Sequence, residues 1–90
     1  MQHILVQHKV DGFERWKAAF YGAVKMRKEA GELSYRLFHL NGDREDLVLL
    51  FEWENGESAK RFLESPELGK AMAESGVLGK PEILYLKAAV

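Results

Sequence analysis

The chain has 90 residues, 47% of them hydrophobic and 30% charged, and its 13 Lys and Arg stand against 14 Asp and Glu for a net charge of −1. That is the make-up of a single globular domain, residues 1–90, and without a basic run or stripe it lacks the electrostatic footprint of a nucleic-acid binder. There is no cysteine, which excludes disulfides, thiolate metal sites and a cysteine nucleophile. No segment approaches the ~20 apolar residues of a membrane span, and the apolar start is too short for a signal peptide, so the expected location is the cytoplasm, with no membrane partner.

Residues 2–10 alternate as a first strand, with Ile4, Val6, His8 and Val10 on one face and Leu5, Gln7 and Lys9 on the other. Asp11 with Glu14 reads as a capping-box-like start to a helix over about 12–30, which carries Phe13, Trp16, Phe20 and Ala23/Val24 at helical spacing and stops at Gly31. A second strand is expected over 33–40. Asn41-Gly42 is a strong turn signal, making the second and third strands an antiparallel hairpin. The third strand, 46–53, is almost entirely large and apolar, the pattern of a central strand buried on both faces. Leu47, Leu49, Phe51 and Trp53 point one way, and Val48, Leu50 and Glu52 the other. Asn55 can cap the next helix, which buries Ala59, Phe62 and Leu63. Ser65-Pro66 restarts it with Leu68, Ala71 and Met72. Residues 77–81 read as a loop, and 83–87 as the last strand.

The order β-α-β-β-α-β predicts an α+β, ferredoxin-like fold: a four-stranded antiparallel sheet in the order 4-1-3-2, with helices on one face. The other face would expose a row of large side chains, each worth ~1.5–3 kcal/mol when buried, and patches that large are rare on monomers. A homodimer through the sheet face is therefore expected.

The run from His8 through Trp16 to Phe20, then Arg27-Lys-Glu-Ala-Gly31, resembles the opening of small proteins in the dimeric α+β-barrel superfamily. Phe51-Glu-Trp53, Ala59, Phe62, Ser65-Pro66, Leu68, Met72, Gly76-Val77 and Gly79-Lys-Pro81 continue the resemblance over nearly the whole chain. The superfamily includes antibiotic-biosynthesis monooxygenases, haem-degrading monooxygenases, polyketide-cyclase-like proteins and stress-response barrels. The resemblance implies a homodimer whose sheets form a barrel and, as in several of the enzymes, a ligand pocket between helices and sheet. The haem-degrading members place a helix His, a Trp and a strand-one Asn at positions that here hold Met72, Phe62, and Gln7 or His8. Three departures argue against haem, and no cofactor, flavin or metal is expected.

Two functional classes follow. One is a cofactor-independent monooxygenase or cyclase-like enzyme acting on a small apolar or aromatic molecule. The other is a non-catalytic barrel that binds a small molecule or supports an assembly. For the first, the favoured strand pairing sets Val6 near Leu50 and gathers His8, Arg36 and Glu52 on one face as a catalytic group, His8 serving as general base. The competing reading makes Arg36 and Glu52 a salt bridge at the dimer seam, with His8 bonded to backbone. Trp16, Phe20, Phe62 and Met72 are candidates to line a pocket for a flat ligand, against ordinary core. Arg27, at the end of the Trp16/Phe20 stripe, either points inward to a carboxylate or enolate or snorkels to the surface.

Overall fold

The structure is a computed structural model describing residues 1–90. Its elements are β1 (Gln2–Val10), α1 (Phe13–Gly22), α2 (Val24–Ala30), β2 (Glu32–Leu40), β3 (Asp43–Trp53), α3 (Gly56–Leu63), α4 (Pro66–Glu74) and β4 (Val77–Leu86). The four strands form one sheet in the order β2-β3-β1-β4, every pair antiparallel. This is the ferredoxin-like arrangement expected from the element order. No helix is long and apolar enough to cross a membrane.

Pattern matching between strands sets the sheet. Ile4 pairs with Phe51, Val6 with Leu49 and His8 with Leu47, so the apolar sets of β1 and β3 fall on the same face. Those residues, with Val10, Trp53, Trp16 of α1 and Ala59 of α3, are the buried core. The pairing differs by one residue from the expected Val6–Leu50. A slip of one residue turns a whole strand over, and the observed pairing is the one that buries both apolar sets together.

Three local features also depart from expectation. The long first helix is two helices, because Gly22, a poor helix former, precedes Ala23, which leaves the helical region at φ −99° and ψ 8°. The residue before α1 is Gly12 and no side chain caps the helix; Asp11 instead donates its backbone N–H to the Gly76 carbonyl at 2.7 Å. Residues 77–81 are the first part of β4 rather than a loop. Between Gln7–Glu82 and Lys9–Leu78 the pairing of β1 with β4 shifts, so 79–81 bulge opposite His8. The other helix starts are as expected: Asn55 accepts from the Ser58 N–H at 2.8 Å and Ser65 from the Leu68 N–H at 3.3 Å.

The face away from the core carries Leu5, Phe38, Leu40, Val48, Leu50, Leu78, Leu84 and Leu86. Five of these side chains remain open, from 37% exposed at Leu86 to 54% at Leu78.

Candidate functional site

Between the sheet and the helices lies a cavity of about 110 Å³. Its floor is Val6, His8, Leu49 and Phe51; α1 and α2 supply one wall and α3 and α4 the other. Ala19, Met26 and Ala71 line it while remaining exposed, which places its mouth between the two helix pairs. The volume approaches the ~150 Å³ of an apolar cavity that accepts benzene, so one aromatic ring is the right size of guest.

One side of the cavity is an ordered row. The His8 ring meets Trp16 edge-on at 5.6 Å, Trp16 stacks on Phe20 at 4.9 Å, and the Arg27 guanidinium lies 3.7 Å from the Phe20 ring centre. An imidazole and a guanidinium thus stand at the two ends of an aromatic pair. Spacing on α1 creates the row, since residues 16 and 20 are one helical turn apart.

The helix break at Ala23 positions Arg27. Ending α1 there loosens the bonding of its last carbonyls, and Arg27 Nη1 donates to that of Phe20 at 2.7 Å. Arg27 Nε donates to Glu32 Oε1 at 2.7 Å, an ion pair whose two side chains are 5% and 1% exposed. Burial pushes the Glu32 carboxyl up, while the hydrogen bond and charge of Arg27, then the charge of Lys28, pull it back. Arg27 Nη2 is buried with no partner.

His8 is buried too, and neither ring nitrogen has a hydrogen-bond partner. Burial lowers its pKa from the usual histidine value, with the Asp46 carboxylate pulling weakly the other way. The imidazole is therefore neutral near pH 7, with one nitrogen able to accept a proton. These three nitrogens are the buried side-chain polar atoms left without a partner, and both residues that carry them line the cavity. Buried polar groups are nearly always satisfied in folded proteins, and exceptions call for an explanation such as function or an unseen guest.

The expected grouping of His8 with Arg36 and Glu52 is corrected by the sheet. Arg36 pairs with Leu50 and Ser34 with Glu52, and these lie on the open face whereas His8 is on the helix-covered one. The error is the one-residue slip between β1 and β3. Arg36 is exposed with its guanidinium 4.9 Å from the Phe38 ring, and it makes no ion pair with Glu52 within the chain. Trp16, Phe20, Arg27, Phe62 and Met72 all line the cavity. Glu32 escaped notice in the sequence, because it meets Arg27 only across the turn at Gly31. No group of three or more His, Asp or Glu is placed to hold a metal ion.

Solved structures of similar shape cover nearly the whole chain. SnoaB, a cofactor-independent oxygenase from Streptomyces nogalater, superposes with a TM-score of 0.72 at 11% identity, over 99% of this chain and 95% of its own. A Bordetella bronchiseptica protein assigned as an antibiotic biosynthesis monooxygenase gives 0.79 at 13% identity, over 99% and 97%. One from Caulobacter crescentus CB15, assigned likewise, gives 0.75 at 20% identity, over 99% and 90%. At such identities the likeness is one of fold. No curated protein matches in sequence. The sequence itself matches the antibiotic biosynthesis monooxygenase family over residues 1–74, most of the chain including every residue that lines the cavity except Ser75, and the chain belongs to that family.

Proposed function

We propose that the protein is a cofactor-independent monooxygenase that oxidises a small aromatic substrate, a phenol or its keto tautomer, in the cavity between helices and sheet. The observation that carries this reading is the coincidence of the unpartnered buried nitrogens of His8 and Arg27 with an otherwise apolar cavity. A neutral imidazole in that setting is a base near neutral pH. A guanidinium at the other end of the Trp16–Phe20 row stabilises an enolate or phenolate oxygen as charge develops there.

The chemistry requires no more than this. Removing a proton from the ring methylene that lies opposite the carbonyl of such a keto tautomer gives an electron-rich anion that reduces dioxygen directly. Oxygen adds at that carbon, water leaves, and a quinone carbonyl remains. Two C–H bonds and the O–O bond break, a C=O bond forms, and the substrate itself supplies the four electrons. His8 takes the first proton and returns it to the departing water.

The same reading includes a homodimer through the open sheet face, in the cytoplasm. The five open apolar side chains are about half buried already, so completing their burial gains roughly 1 kcal/mol each. Counted on two subunits, the gain is about 10 kcal/mol, comparable with the ~4–15 kcal/mol cost of association. Arg36 and Glu52 lie on this face, where they are placed to fix how two copies align rather than to do chemistry.

2,6-Dimethylphenol, a single ring of the size the cavity admits, is the test substrate. Oxygen uptake and 2,6-dimethylbenzoquinone absorbance above the uncatalysed rate are expected, with one O2 consumed per quinone and loss of the excess in His8→Leu. Binding without turnover would instead support the non-catalytic small-molecule barrel.

A further inference from the structure

The Arg27–Glu32 pair does more than hold α2 against β2. Of the guanidinium's donors, Nε is taken by Glu32 and Nη1 by the Phe20 carbonyl, and Nη2 has no partner. Glu32 thus neutralises Arg27 within hydrogen-bond distance, in surroundings where neither side chain exceeds 5% exposure. What is left over is a strong hydrogen-bond donor without net charge to match an anion.

We propose that Glu32 makes this cavity select a neutral carbonyl over a carboxylate of the same shape, by cancelling the charge of Arg27 while leaving Nη2 free to donate. An incoming carboxylate would share one guanidinium with the carboxylate of Glu32, and two like charges close together in a desolvated site repel strongly. No second cation offsets that repulsion. The titratable residues lining the cavity are Arg27 and His8, and burial favours the neutral imidazole. Lys28 reaches Glu32 only through its charge and is exposed. A neutral ketone oxygen meets none of this repulsion and can accept from Nη2. Glu32 acts through Arg27, so its role is positioning and charge balance rather than contact with the substrate. The inference rests on reading the cavity as a ligand site but not on the oxidation chemistry.

Acetophenone and benzoate, nearly identical in shape, are the probes, with dissociation constants measured by calorimetry at pH 7. Wild type should bind acetophenone at least tenfold more tightly than benzoate. Glu32→Gln, which keeps the shape and removes the charge, should reverse the preference. Arg27→Met should weaken acetophenone binding about tenfold and leave benzoate unbound. Equal or tighter binding of benzoate by wild type would overturn charge selection alone. Failure of acetophenone to bind wild type would overturn the ligand-site reading together with it. Selectivity for acetophenone without turnover of 2,6-dimethylphenol would leave this inference standing and remove the oxygenase. A Glu32→Gln variant that still prefers acetophenone as strongly as wild type would also overturn charge selection, and should Glu32→Gln not fold, Glu32→Met is read in the same way.

Discussion

Replacing His8 by leucine should stabilise the protein. The imidazole is 7% exposed and neither nitrogen is bonded. An unmade hydrogen bond in such a place costs ~1–3 kcal/mol, and leucine keeps an apolar contact with Trp16 without that cost. In a domain of this size each 1 kcal/mol shifts Tm by roughly 4–8 °C, so a rise of roughly 4 °C or more is expected at pH 7.5. The gap should also widen in acid. The folded state holds the His8 pKa below that of the unfolded chain, which is ~6.5. Below that pH the unfolded chain binds the extra proton, so this part of the stability is complete above pH ~6.5 and is lost as pH falls through the folded value, by at most ~1.4 kcal/mol per pH unit. The variant has no such loss. Urea unfolding of both proteins between pH 5.5 and 7.5, followed by the fluorescence of the buried Trp16 and Trp53, measures it. Protein concentration is held fixed, because the proposed homodimer would make stability depend on it. A variant less stable than wild type at pH 7.5, or two parallel pH profiles, would refute the reasoning.

Light scattering at micromolar concentration should give twice the 10.3 kDa chain mass, and Leu50→Asp on the open face should give aggregated or unfolded protein; a wild-type mass near that of one chain would show the sheet face is unpaired. Gly76→Ala should cost ~1–3 kcal/mol, since Gly76 has φ +94° and a Cβ there would sit 3.1 Å from the backbone oxygen of Asp11; an unchanged urea midpoint would count against it. Hemin titration should give no saturable Soret complex, since Met72 and not histidine lines the cavity from α4; a micromolar complex whose band decays with a reductant would reverse that expectation.

The strand patterns of Ile4-Val6-His8-Val10 and Leu47-Leu49-Phe51-Trp53 carried the sheet order and the core, because burial on one face leaves a period-two trace in any sequence. The turn at Asn41-Gly42 made the hairpin legible but not its register, since Leu40 pairs with Asp43 at the turn and the pairing shifts between Leu40 and His39 before the frame of Arg36–Leu50 begins. Pairing between β1 and β3 is not local. Nothing in the chain between them sets it, and only matching the two apolar sets as wholes recovers Val6 opposite Leu49. That one residue decided whether His8 belonged with Arg36 or with Trp16. The aromatic stripe of α1 and the inward Arg27 were legible from helical spacing. Glu32 was not, because its place depends on the break at Ala23 and the turn at Gly31, which bring residues 27 and 32 face to face. The 79–81 bulge was legible only as irregularity: Gly79 and Pro81 announced a departure from regular strand without saying that pairing resumes on both sides.

That bulge lies on a rim of the sheet, where β4 has β1 on one side and no strand on the other. A straight, open rim is a template on which further chains can stack, and natural proteins spoil such rims with bends, charges and proline. Here Gly79, at φ +70°, bends the strand, Pro81 withholds an N–H, and Lys80 and Glu82 are both exposed. A chain laid along this rim would find an unbroken run only over 82–86. Fibre growth from that side is discouraged.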